Sequence, residues 1–320
     1  MAVSAVEVLV ADLVAEACSG DRRAVARLLT LVEGGGEAAD RVAEATHPLA
    51  AGAHVVGVTG APGSGKSTLT AGLTATLAES GRRPAVLAVD PSSPLTGGAI
   101  LGDRVRMEAA ATAGTFIRSM ATRGHAGGLA LAVPGMVRVL DACGFNPVLV
   151  ETVGVGQVEV DVASAADTVV VVVTAGWGDA VQANKAGLLE IADLFVVNKA
   201  DRPGADDARR DLNLMLDLSE ITGQAVRRPE IVITTATENS GIDVLWTAVA
   251  EHHDFLVAGG GLQGRRARRY RAEVRSRLDY LLAQVAEDRI ADLPTSLDEA
   301  PGVVALRLAA DLLGIDDSVP

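Results

Sequence analysis

The chain has 320 residues, of which 49% are apolar and only 2% aromatic, so its core must be built from aliphatic side chains rather than rings. Its formal net charge of -13 argues against general nucleic-acid binding, because a phosphate backbone repels so acidic a surface. That length allows one substantial core with helical additions at either end.

In chain order, residues 1–47 read as helices. Val6, Leu9, Val10 and Leu13 share one helical face, and a second helix is expected from about Asp21 through Val25, Leu28, Leu29 and Val32 to the break at Gly34-Gly35-Gly36. Asp12, Glu16, Asp21, Arg22 and Arg23 interrupt any long apolar run there, so neither a secretory signal nor a membrane span is expected. Cys18 and Cys143 lie far apart and form neither a disulfide framework nor a metal-ligand spacing, which fits a reducing, cytoplasmic setting.

Residues 48–258 alternate apolar runs with helical stretches. The runs are His54–Thr59, Ala85–Asp90, Thr115–Arg118, Val148–Glu151, Thr168–Thr174, Leu194–Asn198 and Ile231–Thr234. Most are β-branched at successive positions, as in strands buried on both faces of a parallel sheet. The pattern predicts an α/β fold with a doubly wound, mostly parallel sheet, whose ligands sit at the carboxyl ends of the strands. Gly259-Gly260-Gly261 reads as a linker. It is followed by a long helix over 265–288 and a shorter one over 302–314, a carboxy-terminal helical region spanning 259–320. His252 and His253 are expected at a solvated helix end. The arginines at 265, 266, 268, 269, 271, 275 and 277 are expected to face an acidic partner surface or a second subunit.

Gly60-Ala61-Pro62-Gly63-Ser64-Gly65-Lys66-Ser67 fits G-x-x-x-x-G-K-[ST] between a strand and a helix. Glycines let successive N–H groups turn toward an anion, and the helix amino terminus adds positive potential. Lys66 is expected to bridge the outer phosphates and Ser67 to offer its hydroxyl to Mg2+. Asn198-Lys199-Ala200-Asp201 follows a strand and fits N-K-x-D. The Asp201 carboxylate can accept from the paired N–H donors of guanine, whereas adenine would leave it unpaired. Thr235, Ala236 and Thr237 stand where a backbone N–H can reach the guanine oxygen. Asp90 and Glu151, each at a strand end, are candidate metal carboxylates. Glu151 with Gly154 reads as a switch whose Gly154 N–H senses the γ-phosphate. Spacing alone leaves Asp179, Gln182 and Lys185 between a switch loop and an ordinary surface loop.

Together these motifs resemble the methylmalonyl-CoA mutase-associated GTPases of the MeaB type. The match is carried by Gly60–Thr68, V-D-P-S-S-P at Val89–Pro94, G-G-A-I-L-G-D at Gly97–Asp103 and R-S-M-A-T-R-G-H at Arg118–His125. E-T-V-G-V-G-Q at Glu151–Gln157, N-K-A-D at Asn198–Asp201 and G-D-R-R-A at Gly20–Ala24 complete it. The resemblance implies a homodimer assembled through the carboxy-terminal arm. It implies GTP hydrolysis with Mg2+, and a chaperone role in protecting an adenosylcobalamin-dependent acyl-CoA mutase and loading its cofactor, in concert with the adenosyltransferase. On this resemblance Asp90, Asp103 and Glu151 are metal and switch carboxylates, Thr68 extends the phosphate loop, and Asp179, Gln182 and Lys185 form a further mobile loop. Lys66, Asp90, Glu151 and Lys185 are then the residues expected to act in hydrolysis. Ala180 departs from the acidic residue common in the family, and Ala126 from a larger apolar one. A metallochaperone GTPase for another metalloenzyme would need a His- or Cys-rich delivery segment, which the chain lacks. A P-loop kinase has no evident use for N-K-A-D.

Overall fold

The computed structural model describes residues 5–90, 114–121, 128–152, 164–176, 185–221, 227–293 and 299–313. Three helices open the chain: α1 (Ala5–Cys18), α2 (Arg22–Gly34) and α3 (Gly36–Thr46). Asp21 caps α2, its carboxylate accepting from the N–H groups of Arg23 at 2.7 Å and Ala24 at 3.3 Å, so the expected start near Asp21 has a physical cause. Gly35, at φ 70°, ends α2, and the chain re-enters a helix one residue later.

The strands are β1 (Val55–Thr59), β2 (Ala85–Asp90), β3 (Phe116–Ala121), β4 (Val148–Thr152), β5 (Thr168–Val173), β6 (Leu194–Val197) and β7 (Glu230–Ile233). Among the described residues they form one seven-stranded parallel sheet in the order β3-β2-β4-β1-β5-β6-β7. The helices between them are α4 (Lys66–Glu79), α5 (Gly128–Ala142), α6 (Lys185–Ile191), α7 (Ala205–Ile221) and α8 (Ile242–Ala258). Both faces of the sheet are buried at its inner strands β1, β4, β5 and β6. Val55, Leu87, Val150, Val171 and Phe195 pack on one side with α1, α2, α3, α5 and α7; Val56, Val58, Leu149, Val172 and Val196 pack on the other with α4 and α8. Apolar side chains at successive positions of those inner strands therefore each reach a core, as their unbroken apolar runs predicted, whereas in edge strand β7 Ile233 is exposed. Among the described residues no helix is long and apolar enough to cross a membrane.

Residues 1–269 and 270–320 form two compact units, which divide inside helix α9 (Gly261–Ala291). In the second unit the α9 residues Tyr270, Val274, Leu278, Leu281 and Val285 are exposed, and α10 (Pro301–Leu313) follows.

The amino ends of the strands carry a buried polar network that the sequence reading did not find. Asp167, just before β5, is fully buried and accepts from the Val55 N–H at 3.1 Å, from Arg266 at 3.2 Å and from Arg269 at 3.1 Å. Asp193, just before β6, takes both Arg265 Nη atoms at 2.6 Å and the Val169 N–H at 2.9 Å. Three arginines expected to face a partner are thus committed within their own chain. His252 is likewise not solvated: it is 3% exposed, with Nδ1 2.9 Å from Thr168 Oγ1 and Nε2 3.2 Å from Asp193 Oδ1. Thr168 Oγ1 is also 2.9 Å from His54 Nε2, and the His54 ring lies against that of His253, with centroids 4.3 Å apart. With both rings neutral, a single proton order satisfies the chain: His54 donates to Thr168, Thr168 to His252, and His252 to Asp193.

Burial alone would raise the Asp167 carboxyl, but the guanidiniums of Arg269 and Arg266 outweigh it and hold it below its ordinary 3.8. Burial likewise opposes Asp193, where hydrogen bonds from His252 and Arg265 prevail in the same direction. Burial, with His253 beside it, pushes His54 from 6.5 down to about 3. The unfolded chain therefore takes up a proton at His54 below its ordinary value while the folded chain does not until about 3, so stability falls with pH across that window. The two carboxylates add a loss only below their ordinary range. The denaturant midpoint of the wild type should fall between about pH 7 and pH 5, and His54→Asn should flatten that slope. Asp167→Asn should cost about 1–3 kcal/mol in equilibrium unfolding, because it leaves the partly buried guanidinium groups of Arg266 and Arg269 without their counter-charge.

Candidate nucleotide-binding site

The phosphate loop joins the carboxyl end of β1 to the amino terminus of α4. Gly60, Gly63 and Gly65 have φ of 139°, 76° and 91°, left-handed values that glycine adopts without strain. Close packing adds to this requirement. A Cβ on Gly60 would stand 2.1 Å from the Val172 carbonyl oxygen, and one on Gly65 2.4 Å from Asn198 Nδ2. The Ser64 N–H donates to the Ala61 carbonyl at 3.1 Å, closing the turn over Ala61, Pro62 and Gly63. Lys66 opens α4 and is 5% exposed; its ammonium donates to the carbonyls of Gly60 at 2.7 Å and Ala61 at 3.1 Å, so it lies across the loop it belongs to. Helix α4, with Thr68 in its first turn, directs its first N–H groups toward this loop. Loop, ammonium and helix terminus make one anion cradle.

Glu151 is placed by register. It sits beside Val58 of β1, near the carboxyl end of β4, and is 5% exposed. The Ser67 hydroxyl donates to Glu151 Oε1 at 2.6 Å. One residue on, the Thr152 hydroxyl donates to that of Thr59 at 3.0 Å, tying the two strand ends together. Two hard oxygen donors from different elements thus meet at the foot of the cradle, a donor set that suits Mg2+. The backbone of Asp90 ends β2 on the strand beside β4, paired with Ala121 of β3. Lys185 is the first residue of α6. Asp103, Gly154, Asp179 and Gln182 lie outside the described residues.

The second motif is bonded directly to the first. The backbone N–H of Asn198 donates to the Val173 carbonyl at 2.8 Å at the end of β5. The Asn198 side chain, 1% exposed, donates from Nδ2 to the Ser64 carbonyl at 2.9 Å. Its Oδ1 accepts from the Thr234 hydroxyl and from the Ala236 N–H, each at 3.1 Å. Lys199 stands at φ 60° and its ammonium donates to the Gly63 carbonyl at 2.7 Å. Asp201 is exposed, two residues past this brace. Thr235 is buried and Thr237 exposed, flanking Ala236, whose N–H is held by Asn198. The segments that sequence reasoning assigned to phosphate and to base therefore share one hydrogen-bonded frame.

A protein-family model described as methylmalonyl Co-A mutase-associated GTPase MeaB matches residues 25–290. The chain belongs to the MeaB family of GTPases. Among relatives of this MeaB-family chain, a Pyrococcus abyssi protein whose name carries the word GTPase is 49% identical over 284 residues, 88% of either chain. GTPase ArgK of Escherichia coli K12 is 37% identical over 268 residues, 80% of either chain. A crystal structure described as an LAO/AO transport system kinase has a TM-score of 0.65 and 26% identity, covering 97% of this chain and 93% of its own. The seven-stranded parallel sheet flanked by helices is the P-loop GTPase fold that the motifs predicted.

Asn198→Ala in this MeaB-family protein should leave the Ser64 carbonyl and the Ala236 N–H without their buried partner. Unfolding should register a loss of about 1–3 kcal/mol, and titration with a fluorescent guanine nucleotide should show weakened binding. Gly65→Ala should weaken nucleotide binding as well, because its Cβ displaces the same Asn198 amide.

Proposed function

We propose that this chain hydrolyses GTP to GDP and phosphate with Mg2+, and that it serves as chaperone and gatekeeper of an adenosylcobalamin-dependent acyl-CoA mutase, methylmalonyl-CoA mutase in the first place. The observation that carries the hydrolytic part is the joining of two sites. The Lys66 cradle with its Ser67–Glu151 oxygen pair is fastened by Asn198 and Lys199 to the segment that ends in Asp201. Family membership supports the mutase part, since the matching family is described by its association with that enzyme.

Phosphoryl transfer to water asks mainly for positioning and charge stabilisation. In this reading the N–H groups of the loop and of the first turn of α4 hold the β- and γ-phosphates, and Lys66 leaves the loop carbonyls to bridge them. Ser67, Asp90, Asp103 and Glu151 would hold Mg2+, which when bound draws charge from the phosphate oxygens. The Gly154 N–H would sense the γ-phosphate. Asp179, Gln182 and Lys185 would carry that state toward the partner, Lys185 also lending charge to the reaction. Asp201 reads guanine while Lys199 covers the ring, and Thr235, Ala236 and Thr237 close the base pocket. Residues 48–258 form the GTPase domain in this reading. The helical region 1–47 precedes it, and the arm 259–320 joins two copies into a homodimer. The protein would act in the cytoplasm, on the mutase and with its adenosyltransferase.

Lys66→Ala should reduce GTP hydrolysis to the uncatalysed background in a phosphate-release assay, and normal turnover would sink the site assignment. Asp201→Asn should lose most of the preference for GTP over ATP, which can reach about 10⁴-fold where a site is built around such a polar match. Recovery of a cobalamin-dependent mutase from native extract on the immobilised chain, different with a GTP analogue than with GDP, tests the chaperone role. Equal recovery in both states, or none, would refute it.

A further inference from the structure

The fold brings together the two cysteines that the sequence sets far apart. Cys18 is the last residue of α1 and is exposed; Cys143 follows the last residue of α5 and is buried. The Cys18 thiol donates to the carbonyl of Ala142, the residue before Cys143, at 3.3 Å, which places it near enough to the Cys143 thiol to push that group upward. Helices α1 and α5 both contribute to one apolar core that includes Val10, Leu13, Met136, Val139 and Leu140, and Cys143 belongs to that core.

We propose that Cys18 and Cys143 are a thiol-modification site: a low-molecular-weight disulfide such as oxidised glutathione converts them to an intramolecular disulfide that staples α1 to the end of α5. The order of events follows from accessibility. The Cys18 thiolate attacks one sulfur of oxidised glutathione, whose S–S bond breaks as a new bond to Cys18 forms, and one glutathione leaves as a thiolate that takes up a proton. The Cys143 thiolate then attacks the Cys18 sulfur of the mixed disulfide, and the second glutathione leaves in the same way. The protein loses two electrons and two thiol protons, and one oxidised glutathione becomes two reduced ones. The second step is the slow one. Burial pushes the Cys143 thiol up to about 12, and the neighbouring Cys18 thiol raises it further, against the opposing charge of Arg83. The Cys18–glutathione adduct should therefore appear first and disappear as the internal bond closes, faster at alkaline pH. The bond would fix the helical layer of residues 5–46 to α5, the helix that leads into β4 and Glu151.

The test is intact mass, thiol titration and peptide mapping of the full chain exposed to oxidised glutathione at neutral and mildly alkaline pH. The expected result for the wild type is loss of both free thiols without a retained adduct, and a peptide linking residues 18 and 143. Cys143→Ser should stop at one glutathione on Cys18, and Cys18→Ser should stay unmodified. A wild type that retains the adduct with Cys143 still free, even at alkaline pH, would overturn the proposal, as would cross-links only between chains. The wild-type peptide map alone decides if Cys143→Ser fails to fold.

Discussion

One buried amide holds the candidate nucleotide site together. Asn198 is anchored through its own N–H to the end of β5, and its side chain spans from the phosphate loop at Ser64 to the segment after β7 at Thr234 and Ala236. An amide suits this position because it donates and accepts at the same time; a carboxylate could not donate to the Ser64 carbonyl, and an alkyl chain could do neither. At 1% exposure Asn198 is shut off from bulk solvent that could replace these bonds, so the cradle, the loop after β6 and the segment after β7 stand or fall together. Gly65 is glycine partly because this amide passes within 2.4 Å of where its Cβ would lie.

The parallel sheet makes that convergence possible. Because every strand runs the same way, the polar residues at or just past the carboxyl ends of β1, β4 and β6 gather at one end of the sheet, where Ser67 meets Glu151 and Ser64 meets Asn198 although they are distant in sequence. The opposite end gathers what precedes the strands. His54, Asp167 and Asp193 come before β1, β5 and β6, and they hold α8 through His252 and the start of α9 through Arg265, Arg266 and Arg269. One end is built from backbone amides and glycines that can yield to an anion. The other is built from buried charges that are costly to part. Chemistry and anchorage therefore occupy opposite ends of the same sheet.

Motif chemistry was legible in the chain because it depends on local backbone geometry. Glycines at 60, 63 and 65 announce a loop that must adopt left-handed φ beside a helix start, and unbroken β-branched runs announce strands covered on both faces. Helix α2 was legible for the same reason, through the side-chain cap at Asp21. The polar network was not. His252 lies in a helix near its end, where a solvated position is the ordinary expectation, and its burial comes from Thr168 and Asp193, which belong to other parts of the chain. The arginines of α9 look alike in sequence. Only the packing of α9 selects Arg265, Arg266 and Arg269 for Asp193 and Asp167.

The sequence by itself determined the kind of ligand, the class of fold and the family, since each rests on residue types at short, fixed spacing. Tertiary structure alone decided which distant groups meet: Ser67 with Glu151, Asn198 with Ser64 and Ala236, Asp167 with Arg269, Cys18 with Ala142 beside Cys143. The physical reason is that a spacing motif encodes backbone conformation, which neighbouring residues set. A hydrogen bond, an ion pair or a thiol contact between remote residues depends on strand order and helix packing, and those are settled by the chain as a whole.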